Sequence, residues 1–67
     1  PSTIGRRLRE TEQAMVKAQR RVDGLHEELA NLTDHTMMAE RGVTLAAAQT
    51  ELDGLEAEWL ALAELAE

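Results

Sequence analysis

The sequence predicts an all-α fold: a two-helix antiparallel coiled-coil hairpin, with apolar surface to spare for self-association. Three observations lead there. Two rows of apolar residues recur at alternating steps of three and four. A short polar stretch rich in cap-forming residues divides them. The composition suits helices, being rich in Ala, Leu, Glu and Arg, with Trp59 the sole aromatic and Pro1 the sole proline.

The first row runs through Leu8, Thr11, Met15, Ala18, Val22, Leu25, Leu29 and Leu32, and Ile4 extends it backwards. Leu8, Met15, Val22 and Leu29 take the a positions of a heptad seam. This predicts a first helix over about 3–32, with Ser2 or Thr3 as its cap. The second row runs through Leu45, Ala48, Leu52, Leu55, Trp59, Leu62 and Ala66. Carried backwards it meets Arg41 at a d position and Met38 at an a position, so it weakens towards its start. The second helix is expected over about 37–66, with fraying or local 3₁₀ geometry expected in its weakest stretch, Thr36 to Thr44, which holds Gly42.

Between the rows lies Asn31-Leu32-Thr33-Asp34-His35-Thr36. Short polar side chains there compete for backbone groups, which favours turns and caps. A turn at about 33–36 is expected, with Asp34 the first choice of cap for the second helix and Thr33 and Thr36 the alternatives. So short a connection makes the helices antiparallel neighbours. Two registers satisfy the seams. In one, partner numbers sum to about 70, so Ala18 meets Leu52 and Thr11 meets Trp59; in the other they sum to about 77, so Ala18 meets Trp59. The first fits the tight turn and is preferred.

Sixty-seven residues make a single small domain, and no cysteine is present to staple it or to bind metal as thiolate. No run approaches the roughly 20 apolar residues of a membrane span, and no signal-peptide pattern opens the chain. The expectation is a cytoplasmic location without membrane contact. A start at Pro1 rather than Met fits either trimming or a fragment cut from something longer.

Charge is unevenly placed. Residues 1–22 carry six cations against two carboxylates, and residues 23–67 carry Arg41 against eleven, within a total of −6. Arg6, Arg7, Arg9, Lys17, Arg20 and Arg21 are therefore candidate nucleic-acid contacts. The competing reading pairs them with the acidic second helix. Arg21, at a g position, would reach Glu51 in the first register or Glu58 in the second.

No pattern calls for catalysis. His26 and His35 stand nine residues apart without a zinc motif. Carboxylates such as Glu27-Glu28 sit where a helix surface solvates them, not in a pocket that would shift their pKa. No phosphate-binding glycine motif or nucleophile elbow occurs. No catalytic, cofactor or metal residues are assigned. Val16, Leu60 and Leu65 fall outside the seams, and Met37 sits beside Met38 at the tip; Val16, Met37, Leu60 and Leu65 are candidate protein contacts.

The segment Leu25-His26-Glu27-Glu28-Leu29-Ala30, then Thr33-Asp34, then Leu55-Glu56-Ala57-Glu58-Trp59-Leu60 resembles the C-terminal coiled-coil domain of ABC-F ATPases, closest to the actinobacterial type. The Trp-Leu pair near the end of the second helix carries most of the likeness. Arg41 and Gly42 depart from the usual Leu-rich start of that helix. The resemblance implies a parent with two ATPase domains and no membrane domain, using ATP and Mg. It implies a part played on the ribosome and, in the Uup-like branch, DNA binding by the hairpin. None of the ATP-binding motifs lies in this chain. The implied role is a non-catalytic accessory domain touching DNA, ribosomal RNA, the ribosome or the parent's ATPase domains. The alternative is a purely structural coiled coil for dimerisation or docking.

Overall fold

The computed structural model describes residues 2–66, the side chain of Ser2 excepted. Two α-helices, α1 (Ser2–Asn31) and α2 (His35–Ala66), lie side by side, and no strand is present among the described residues. They form a rod 51 Å long and 14 by 12 Å across. That length is close to the roughly 45 Å that 30 α-helical residues span. This is the all-α hairpin that the two seams predict.

Both helices exceed their expected starts. Thr3 lies inside α1, one residue beyond its Ser2 start, so it is not the cap; the residue preceding Ser2 lies outside the described residues. α2 begins at His35, two residues earlier than expected, because Asp34 caps it. Asp34 Oδ1 accepts the Met37 amide at 2.9 Å, and the Asp34 carbonyl accepts the Met38 amide at 2.9 Å. The connection is left with only Leu32, Thr33 and Asp34. At the other side of the turn, the Leu32 amide donates to the Leu29 carbonyl at 3.3 Å, and Asn31 Nδ2 donates to the Glu27 carbonyl at 3.0 Å. The first of these bonds occupies a carbonyl that a helix end otherwise leaves without a partner.

The core follows the seams. Ala18, Val22, Leu25, Ala48 and Leu52 form one buried cluster, with Met15, Leu45 and Leu55 packed against it. Leu62 is buried farther along α2. Small and large residues face each other, so Ala18 and Ala48 let the helices approach while Leu25 and Leu52 fill the space. The one polar seam residue, Thr11, is buried, and its hydroxyl donates to the Arg7 carbonyl at 2.8 Å. That bond removes the cost of an unsatisfied hydroxyl in the core. Trp59 is half-buried rather than sealed in the seam.

The register is the one with partner numbers near 70. Arg21 pairs with Glu51 at 3.4 Å, not with Glu58, which pairs with Arg7 at 3.6 Å. The start of α2 is regular α-helix through Gly42, with neither 3₁₀ geometry nor a break. A methyl group added at Gly42 would meet nothing within 4 Å, so no close packing requires the glycine there.

Candidate nucleic-acid and partner-contact surfaces

The six cations of α1 divide into two groups. Arg7 and Arg21, at g positions, cross to Glu58 and Glu51 on α2. In an antiparallel pair g positions flank the same side of the seam, so this crossing follows from the heptad. All four of these side chains stay about half exposed, which holds each pair to roughly 0.2–1 kcal/mol. Their value is orientation and register.

Arg6, Arg9, Lys17 and Arg20 lie on the outer face of α1. Counted from Gln13 they stand at −7, −4, +4 and +7, the spacing of one helix face. All four are exposed. Arg6 leans on Glu10 within its own helix at 3.7 Å. Arg9, Lys17 and Arg20 form no ion pair among the described residues. Sequence spacing brings these cations together, and the fold leaves them facing solvent.

Arg41 sits at the d position where the second seam falters. Its Nε donates to Glu28 Oε1 across the hairpin, and its side chain is only partly exposed. The hydrogen bond that Arg41 donates to Glu28, reinforced by the carboxylate's charge, raises the Arg41 pKa against the opposing effect of burial. The guanidinium is therefore a fixed cation at the open end of the core. Nothing in the heptad pattern marked Glu28 as its partner; only the register does.

A shallow groove of about 500 Å³ runs along the opposite flank of the seam from the g-position pairs. Glu12, Met15, Val16, Gln19, Leu52, Glu56 and Trp59 line it. Its floor is apolar, and Trp59 Nε1 donates to Glu12 Oε1 at 2.9 Å across it. Val16 is 51% exposed, Leu60 59% and Leu65 69%. Met37 is also exposed at the tip. These four expected contact residues do not form one patch: Val16 adjoins the groove, Leu60 and Leu65 lie near the free end of α2, and Met37 lies by the turn. Sequence reasoning missed Val43, 73% exposed on the outer line of α2. Its heptad position, f, was legible and would have found it.

His26 and His35 are exposed, and among the described residues no three His, Cys, Asp or Glu side chains converge to hold a metal ion. Among the described residues no helix is long and apolar enough to cross a membrane. Comparisons with protein-family models, curated proteins and solved structures return no match to this chain.

Proposed function

We propose that this hairpin is a non-catalytic contact module whose outer α1 face meets the phosphate backbone of a nucleic acid. The observation that carries this reading is the row Arg6, Arg9, Lys17 and Arg20 around Gln13, three of whose cations have no ion-pair partner among the described residues. Cations left unpaired on a straight face suit a polyanion, because each phosphate they neutralise releases a counterion. The acidic excess lies mainly on α2, away from that face. The resemblance to the C-terminal hairpin of ABC-F ATPases agrees with it. On that resemblance the chain belongs to a longer ATP-using protein, and its target is DNA or ribosomal RNA.

The test is a titration of the chain against a DNA duplex and a structured RNA, at low and at physiological salt. Binding that falls steeply with salt is expected, and the Arg9→Gln, Lys17→Gln, Arg20→Gln triple variant should lose it while keeping its helicity. Absence of binding at low salt, or binding indifferent to that variant, overturns the reading.

A second reading, a structural coiled coil that docks on protein, draws on one observation of its own. Val16, Leu60 and Leu65 are more than half exposed although they are large and apolar.

A further inference from the structure

Beside the basic row lies a second row with a different symmetry. Its centre is Val16. Three residues to either side stand Gln13 and Gln19. Four residues to either side stand Glu12 and Arg20, and seven to either side stand Arg9 and Asp23. Offsets of three, four and seven keep all of them on one helix face. The charges invert through the centre: every residue on one side has its complement at the same distance on the other.

A sign-inverted row of this kind is complementary to itself run backwards. We propose that the face centred on Val16 binds a second copy of this chain, α1 against α1, antiparallel, about a two-fold axis at Val16. Arg9 of each copy then faces Asp23 of the other, and Glu12 faces Arg20. Each pair occurs twice, as an isologous interface requires. The two Val16 side chains meet at the axis beside the apolar groove that Met15, Leu52 and Trp59 help to line.

Three observations support that occupant. Val16 is half exposed at the rim of an apolar groove with nothing over it. The charge pattern selects the centre: moving it to Gln13 sets Arg6 against Arg20 and Arg9 against Lys17, like against like. The position suits it, since Val16 stands at the middle of α1 (Ser2–Asn31), so a two-fold axis there overlays the two copies of the helix along their length. Glu12 already accepts the Trp59 indole and Asp23 accepts Gln19 Nε2 at 2.9 Å. A carboxylate has sites left for a guanidinium after one such bond. Because Arg9 and Arg20 belong to both rows, pairing of copies and phosphate binding compete.

Sedimentation equilibrium of the chain without nucleic acid, from micromolar to millimolar at low salt, tests this directly. A concentration-dependent dimer that weakens with salt is expected. Val16→Glu should return it to monomer with unchanged helicity, since the side chain is half exposed. Two further variants check the pairing. Arg9→Glu with Arg20→Glu makes the row acidic, and Glu12→Lys with Asp23→Lys makes it basic. Each alone should be monomeric, and an equimolar mixture should form a heterodimer. If Glu12→Lys lowers helicity by releasing Trp59, the single changes Arg9→Glu and Asp23→Lys serve in its place. A wild-type monomer at millimolar concentration, a dimer indifferent to Val16→Glu, or charge variants that fail to combine would each overturn the proposal. The sedimentation is run without nucleic acid, so its outcome is read apart from phosphate binding, which Lys17, outside this row, reports separately.

Discussion

Arg41 and Glu28 join the two helices by a charged hydrogen bond at the position where the second seam calls for an apolar residue. The pair exists only in the register with partner numbers near 70. Its removal should therefore loosen alignment near the tip. Glu28→Lys sets two cations together and should lower the melting temperature, whereas Glu28→Lys with Arg41→Glu should recover most of the loss. The non-additivity of the double variant, read by circular dichroism, measures the coupling. Additive effects would show that the pair does not hold the register.

Gly24, Gly42 and Gly54 lie within continuous helix, and a methyl group at any of them would meet nothing within 4 Å. Alanine restricts the unfolded chain and favours helix, so each Gly→Ala change should stabilise the hairpin by about 1 kcal/mol. Urea unfolding of the three single variants checks this. A loss at Gly42 would mean that the start of α2 does need its glycine.

Trp59 is half-buried, and its indole N–H is satisfied by Glu12 across the groove. Trp59→Ala should cost about 2 kcal/mol, less than the roughly 3–5 kcal/mol of a fully buried aromatic. Glu12→Ala should leave helicity intact and change the tryptophan emission, because the carboxylate neighbour is gone. An unchanged spectrum would place the indole away from Glu12.

Asp34 caps α2 through its side chain. Asp34→Ala should destabilise the hairpin by about 1 kcal/mol, and Asp34→Asn should retain most of that because its carbonyl also accepts the Met37 amide. Equal losses for the two would assign the effect to charge at the helix N-terminus instead.

Much of this architecture is legible in the chain because its signals are local. The step of three and four from Leu8 to Leu32 and from Leu45 to Ala66 sets two helices and the faces they bury. Asp34 marks the start of α2 because a short acceptor side chain reaches an amide three residues on. The basic row around Gln13 is equally local, since helix periodicity alone puts Arg6, Arg9, Lys17 and Arg20 on one face.

The register was a different matter. Sliding one helix by a heptad returns every a and d residue to the seam, so the apolar pattern allows partner sums of both 70 and 77. Local pattern cannot separate two alignments that bury the same residue types. The tight turn expected at about 33–36 already favours the first, and the structure makes that choice final with a connection of three residues that leaves no slack for the longer loop. From that choice follow the partners of Arg7, Arg21 and Arg41, the half-burial of Trp59 against Glu12, and hence which cations of α1 remain unpaired. Contacts between distant residues depend on how the helices are placed, and only packing places them.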